Sequence, residues 1–172
     1  MSIEKPEGLQ ISYLADHPQH LAQVVAWVFE EWGRHIPGVT LEKIEARFSN
    51  HLHRNALPLT LLALMDGQAA GTASLQTTDM YTHPELTPWL AAVYVPPAHR
   101  RLGIGSELVQ AAEAVSRRIG VRRLYLFTPD RERFYARLGW SVLERTGFRH
   151  QPVVIMRKSF LDLPKPSDPP NR

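Results

Sequence analysis

In the run AAVYVPPAHRRLGIGSELV, which begins at Ala91, Arg100 and Arg101 place positive charge beside the spaced glycines Gly103 and Gly105. A helix that starts near Leu102 or Gly103 presents unpaired N–H groups and the positive end of its dipole, here from Ile104, Gly105 and Ser106 onward. Glycine removes the side chains that would hold a phosphate away from those N–H groups, and the two guanidinium groups suit a diphosphate. An ordinary glycine-bearing turn has the same spacing. Two other phosphate motifs fit less well. A P-loop needs lysine after its glycines, whereas Gly105 is followed by Ser106 and Glu107. A dinucleotide fingerprint needs a third glycine where this chain has Leu108, and the preceding strand ends too early for it.

The elements that must position this turn can be read from periodicity. Leu21, Val24, Val25, Val28 and Trp32 recur at helical spacing. Thr40 can cap a second helix whose face is Leu41, Ile44, Phe48 and Leu52. The runs LTLLALM and QAAGTASLQ flank Asp66-Gly67, which predicts a hairpin with strands at about 59–65 and 68–76. The polar, proline-punctuated TTDMYTHPELTP reads as a loop before the strand WLAAVYV. A helix then follows on Ile104, Leu108, Ala111, Ala112, Val115 and Ile119, ended by Gly120, and RRLYLFT is a strand. DRERFYARLG predicts a short helix capped by Asp130 and closed by Gly139, before two last strands in WSVLER and PVVIMRK. The order predicts a mixed sheet with helices on both faces, an α+β arrangement.

A chain of 172 residues can bury one sizeable core and is short for two, so a single domain over residues 1–160 is expected. The proline-rich end at 161–172 is expected to be disordered. There is no cysteine, hence no disulfide, thiolate ligand or cysteine nucleophile. The histidines at 17, 20, 51 and 53 lack a ligand constellation, so no metal is expected. No apolar run is long enough to span a bilayer, and the opening MSIEKPEGLQ lacks a signal pattern, which predicts a cytoplasmic protein with no membrane partner. Residues 1–99 hold five Lys/Arg and ten Asp/Glu, a balance of −5, whereas residues 100–172 hold fifteen and seven, a balance of +8. Such a field attracts nucleic acid or a small polyanion, or is simply a solvated surface. Nucleic acid is the weaker reading, since no interleaved aromatics or reading motif accompany the arginines.

VYVPPAHRRLGIGSELV resembles motif A of the GCN5-related N-acetyltransferase (GNAT) superfamily, Arg/Gln-x-x-Gly-x-Gly/Ala after an apolar strand, with Arg100, Gly103 and Gly105 in the defining places. RRLYLFT followed by RFYARLGW resembles the next strand of that family and its Phe-Tyr-x-x-Leu-Gly-aromatic helix end. With the hairpin before and the paired strands after, the resemblance covers roughly residues 10–158. It implies the GNAT fold: a twisted, mostly antiparallel sheet of six to seven strands in which strands 4 and 5 splay apart.

The resemblance also implies acetyl-CoA as cosubstrate, a small-molecule or peptide amine as acceptor, and no metal. Val93, Tyr94 and Val95 would offer strand-edge groups to the pantetheine, a role for which an unpaired strand is physically suited. Arg100, Arg101, Leu102, Gly103, Ile104, Gly105 and Ser106 would hold the diphosphate, with Thr128 a further contact. Tyr135 matches the family's general acid, which protonates the departing thiolate; a core tyrosine beside Phe134 is the other reading. The family's frequent glutamate base has Trp89 in its place, which leaves His83, Glu85 or a relayed water for that role. Thr128 and Arg131 stand where many members have Asn and Ala. Trp32, Arg34 and His35, with Arg149 and His150, are candidates to receive the acceptor, as basic and aromatic groups suited to a partly anionic or aromatic amine. A monomer or homodimer is expected. A non-catalytic acyl-CoA-binding sensor is the alternative to an enzyme.

Overall fold

Asp66 and Gly67 turn the chain as their types require, with φ of 50° and 80°, and join β2 (Leu59–Met65) to β3 (Gln68–Gln76). The computed structural model describes residues 4–160, so the segment at 161–172 expected to be disordered lies outside the described residues. Upstream of the hairpin stands a strand absent from the sequence reading, β1 (Leu9–Tyr13), paired antiparallel to β2 from Leu9↔Met65 to Tyr13↔Leu61. It is an edge strand of only five residues, and Leu9, Ile11 and Tyr13 alternate toward the core. So short an alternation beside Pro6 and Gly8 does not stand out from a loop.

The helices α1 (Leu21–Glu31) and α2 (Leu41–Ser49) cover one face of β2 and β3, packing Val24, Val25, Val28, Ile44 and Phe48 on Leu62 and Leu64. Thr40 caps α2 as expected, its hydroxyl accepting from the Lys43 N–H at 3.2 Å. On the opposite face α3 (Ile104–Arg118) sets Ile104, Leu108, Val109 and Ala112 against Leu61, Ala63, Ala73 and Leu90. Because both faces of the hairpin are covered, LTLLALM is apolar at every position but the buried Thr60 instead of alternating.

The remaining strands are β4 (Trp89–Tyr94), β5 (Arg123–Thr128), β6 (Ser141–Phe148) and β7 (Gln151–Ser159), with the short helix α4 (Glu132–Arg137) between β5 and β6. The sheet order is β1-β2-β3-β4-β5-β7-β6. Only β4 and β5 run parallel, because α3 crosses over between them. The result is an α+β fold, a seven-stranded, mostly antiparallel sheet with helices on both faces. The loop 77–88 covers what α1 and α2 leave open: Met80 joins Trp89, Tyr125, Phe148, Val153 and Ile155 in a separate cluster.

Candidate active site

The parallel pair β4 and β5 is joined at one register position, Trp89↔Tyr125, supported by the Tyr125 N–H donating to Pro88 O at 3.1 Å. Past it the strands part, and β4 has no strand partner on that side. The separation is reinforced from the other edge. Thr72 pairs with Tyr94 and Ser74 with Ala91, so β4 carries a bulge, and Ala92 sits in it at φ 52°. A bulge bends its strand and re-aims the groups that follow, here Val93, Tyr94 and Val95. Pro96 and Pro97 have no N–H with which to continue the ladder.

The turn into α3 shapes the candidate anion site. Arg101 and Gly103 both have positive φ, 65° and 80°, and swing the chain so that Ile104 opens the helix. The first internal bond runs from the Glu107 N–H to Gly103 O, which leaves the N–H groups of Ile104, Gly105 and Ser106 free at the helix end. A Cβ built on Gly105 would lie 3.4 Å from Phe134 and 3.9 Å from Val95, ordinary contact distances. Packing therefore does not demand glycine there. What glycine preserves is an open floor between Val95 and Phe134, a cradle that any side chain would fill. Arg100, though exposed, is held against its own strand: its Nε donates to Val95 O at 2.8 Å and its guanidinium lies over the Tyr94 ring. Arg101 and Leu102 are exposed at the turn.

Tyr135 lies on α4 one residue after Phe134, its ring packed edge-on against Phe134 and Trp140. It is 8% exposed, and no hydrogen bond to its hydroxyl is found among the described residues. Burial pushes its pKa well above that of an ordinary tyrosine; Asp130 adds to the shift and Arg131 opposes it. The shift keeps the hydroxyl in its protonated, donating form near neutral pH. Thr128, buried at the end of β5, accepts from the Arg131 N–H at 2.9 Å and the Asp130 N–H at 3.4 Å. It is Thr128, rather than the expected Asp130, that shapes the entry to α4. Asp130 makes no cap hydrogen bond. Serine and threonine hydroxyls make such local bonds readily, and Thr128 precedes the turn by the right spacing.

A protein-family model for the acetyltransferase (GNAT) family matches residues 21–140, well over half of the chain. The chain belongs to the GNAT family. Solved structures share its fold: YncA of Salmonella typhimurium with its cofactor acetyl-CoA is 18% identical over 93% of this chain and 98% of its own, with a TM-score of 0.70. An aminoglycoside 6'-N-acetyltransferase complexed with coenzyme A is 16% identical over 91% and 99%, at 0.68. An acetyltransferase from Streptococcus agalactiae is 20% identical over 90% and 100%, at 0.66. A search of curated proteins finds no match.

In this GNAT chain the candidates for the acceptor side fall into two groups. Trp32 ends α1 at 37% exposure and meets Tyr94 edge-on at 6.2 Å, beside Trp27 at 5.6 Å, so the α1 end touches the bulged strand. His35 accepts from Arg34 Nε at 3.3 Å, and Arg34 also pairs with Glu30. Arg149 and His150 form the two-residue turn between β6 and β7, at φ 49° and 64°, and line a cleft of about 830 Å³ with Phe148. His83 and Glu85 do not reach the site's centre: His83 bonds Glu144 at 2.7 Å, and Glu85 is exposed. Trp89 is fully buried, its indole N–H donating to Leu86 O at 2.7 Å, which pins the loop 77–88 to the base of the splay.

One acid of the loop 77–88 lies outside the sequence reading. Asp79, half-buried in that loop, accepts from Gln76 Nε2 at 3.0 Å. Burial raises its pKa to about 7, against the opposing charges of Arg47 and Arg149 and the Gln76 bond. Nothing in TTDMYTH marks its one acid as buried; an isolated aspartate in a polar loop carries no period to read. Among the described residues no group of three or more potential ligands could hold a metal, and no helix is long and apolar enough to cross a membrane.

Proposed function

We propose that this GNAT chain transfers the acetyl group of acetyl-CoA to a primary amine, of a small molecule or a peptide N-terminus, by direct attack. The observation that carries this reading is the continuity of the parted edge of β4, the open floor at Gly105 and the free N–H groups of α3. A long ligand with amide groups at one end and a diphosphate at the other matches that sequence of surfaces. The structures of YncA with acetyl-CoA and of the aminoglycoside enzyme with coenzyme A support the choice.

Val93 and Val95 would hold the amide arm and Gly103 to Ser106 the diphosphate, with Arg101 adding charge at the turn. Arg100, tied to Val95 O, would shape the cradle from beneath. Bound there, acetyl-CoA would supply a thioester whose carbonyl carbon forms a bond to the neutral amine nitrogen as its bond to sulfur breaks; the nitrogen gives up one proton and the sulfur gains one, yielding an N-acetyl amine and coenzyme A. Tyr135 would donate its hydroxyl proton to the departing sulfur and recover one from the solvent. The free, protonated hydroxyl fits that role, since a group already held by another acceptor could not turn to the sulfur. The attacking amine must be neutral, and an unperturbed lysine amine has a pKa of about 10.4, so turnover should rise with pH until the amine's own ionisation is complete.

The test is thiol release from acetyl-CoA across polyamines, aminoglycosides, amino acids and N-terminal peptides, with wild type and Tyr135→Phe. Loss of roughly 10²-fold in kcat in the variant, with coenzyme A affinity within about twofold of wild type, is the expected result. Tight coenzyme A binding without turnover of any amine would favour the acyl-CoA sensor instead.

A further inference from the structure

Away from the parted strands, a hydroxyl, an imidazole and a carboxylate stand in line. Thr82 Oγ1 lies 2.9 Å from His83 Nδ1, and His83 Nε2 lies 2.7 Å from a carboxylate oxygen of Glu144. A carboxylate only accepts, so the ring proton of the neutral imidazole sits on Nε2, and Nδ1 presents its lone pair to the threonine. The Thr82 hydroxyl therefore donates to Nδ1, which makes its oxygen more nucleophilic. Nucleophile, base and orienting acid are the parts of a covalent acyl-transfer site, here with the two ring nitrogens in roles exchanged from those of a serine protease.

Separate parts of the fold aim these groups at one another. On β6 the register runs from Val142↔Met156 to Glu144↔Ile155, so Leu143 is the extra residue of a bulge. An unbroken ladder would set Glu144 opposite Val154, on the other face of the sheet; the bulge turns it to the face of Ile155, which packs with Met80 under the loop 77–88. Within that loop the His83 N–H donates to Met80 O at 3.0 Å and the Leu86 N–H to His83 O at 3.1 Å, while the Trp89 indole holds Leu86 O. The base is thus fixed in backbone and in ring, its side chain only 15% exposed. Thr82 is exposed, and among the described residues its hydroxyl has no other partner and its N–H no acceptor. Beside it Tyr81 is 74% exposed, its ring tilted on Phe148 at 5.1 Å. Fastening the loop to β6 needs only the contact of His83 with Glu144; an accessible hydroxyl on the other ring nitrogen adds nothing to it.

We propose that Thr82 is an acyl-accepting nucleophile, with His83 as its base and Glu144 orienting the ring, for activated esters or thioesters of short carboxylic acids. This activity goes beyond the amine transfer above and uses neither Tyr135 nor the floor at Gly105. In its first step Thr82 Oγ1 forms a bond to the acyl carbon as the bond to the leaving oxygen or sulfur breaks, and the threonine proton passes to Nδ1 and on to the leaving group. In the second, water forms a bond to the same carbon and gives a proton to Nδ1; the bond to Oγ1 breaks, Oγ1 takes that proton back, and the free acid departs. The N–H of Thr82 is a donor for the carbonyl oxygen as it becomes negative. A phenolate or thiolate leaves more readily than a threonine alkoxide, so with such substrates the first step outruns the second and acyl-threonine accumulates.

The experiment gives the full chain p-nitrophenyl acetate, follows nitrophenolate release by absorbance, and locates the acetyl group by peptide mass spectrometry. A burst approaching one nitrophenolate per chain, with acetyl on Thr82, is the expected result. The burst rate should fall by about tenfold or more in Thr82→Val, which keeps the side-chain shape at an exposed position, and in His83→Gln. Glu144→Asp, whose carboxylate still only accepts, should retain more of the rate than Glu144→Gln, whose amide can donate and so favour the other tautomer. In a second arm acetyl-CoA replaces the aryl ester, and acetyl on Thr82 there extends the substrate class to thioesters. Three results would each overturn the proposal: no acetyl on Thr82 with the aryl ester, the label appearing on a lysine or on His83 alone, or a burst in Thr82→Val or His83→Gln equal to that of wild type. Equal rates in Glu144→Asp and Glu144→Gln would remove Glu144 from its orienting role.

Discussion

The two faces of the sheet solve different problems with different materials. On the α3 and α4 face the candidate cofactor site is made of backbone: a parted strand, a bulge and a helix end opened by Gly103. A buried charged contact on this face is closed, since Lys158 Nζ lies 2.5 Å from the Glu113 carboxylate and donates to Leu138 O at 2.6 Å. The contact to Glu113 is an ion pair of charges in touch and not a well-directed hydrogen bond. It fastens α3 to the end of α4, the two helices that frame the Gly105 floor. On the α1 and α2 face the candidates are side chains: Trp32 meets Tyr94 edge-on, and Arg34 pairs with Glu30 and donates to His35. A ligand shared by a family can be met by fixed backbone, whereas an acceptor peculiar to one chain must be met by side chains that a few substitutions can change.

The largest effect should come from breaking the closed side. Glu113→Ala would leave Lys158 without its charge partner, and truncating one member of a buried pair costs roughly 3–5 kcal/mol. A denaturant midpoint unchanged from wild type would show that solvent or Leu138 O compensates the lysine. Next is the cradle itself. Gly105→Val places two methyl groups on the floor between Val95 and Phe134, and should weaken coenzyme A by about 100-fold, or about 2.7 kcal/mol, while thermal stability changes far less. Titration calorimetry decides it: affinity within about threefold of wild type would mean that the ligand does not cross this floor.

The same contrast explains what the sequence allowed to be read. The Arg100-x-x-Gly-x-Gly turn is contiguous, and Gly103 at φ 80° heads α3 as its position in the motif required. Tyr135 could be named because it lies in a second contiguous motif. The candidates for the acceptor side form no such unit: Trp32, Arg34 and His35 follow α1, whereas Arg149 and His150 lie in the turn between β6 and β7. Asp130 was the better cap by residue type, yet the hydroxyl of Thr128 took the local hydrogen bonds. Trp32 continues the apolar period of α1, but the helix ends beneath it and turns it to Tyr94 and the solvent.

The end of α2 leads into a buried histidine that should respond to acid. His51 is buried against Phe48, its Nδ1 bonded to Thr60 Oγ1 at 3.0 Å, which is bonded to Ser74 Oγ at 2.8 Å. Burial, with Arg47 and His53 adding to it, lowers its pKa to about 4. The folded value lies below the unfolded one, near 6.5, so the unfolded chain binds the proton first and stability falls as pH drops from about 6.5 to about 4. Between pH 7 and pH 5 this amounts to about 2 kcal/mol. Urea unfolding of His51→Asn should show a correspondingly shallower loss over that interval; equal slopes would mean that the imidazole gains a proton without penalty in the fold.

The smallest effect separates the two residues at the entry to α4. Thr128→Val keeps the shape of the side chain and removes the hydroxyl that accepts from Arg131 and Asp130, so it should cost about 1 kcal/mol. Asp130→Ala, at an exposed position with no cap bond to lose, should stay within about 0.5 kcal/mol of wild type. Because Thr128 ends the strand that diverges from β4 and starts the turn that carries Tyr135, the threonine variant should also lower kcat by a few-fold while Asp130→Ala does not. If the two variants instead lose equal stability and equal turnover, the entry to α4 is held by the charge of Asp130 rather than by a hydroxyl, and the sequence-based choice of cap was the physically correct one.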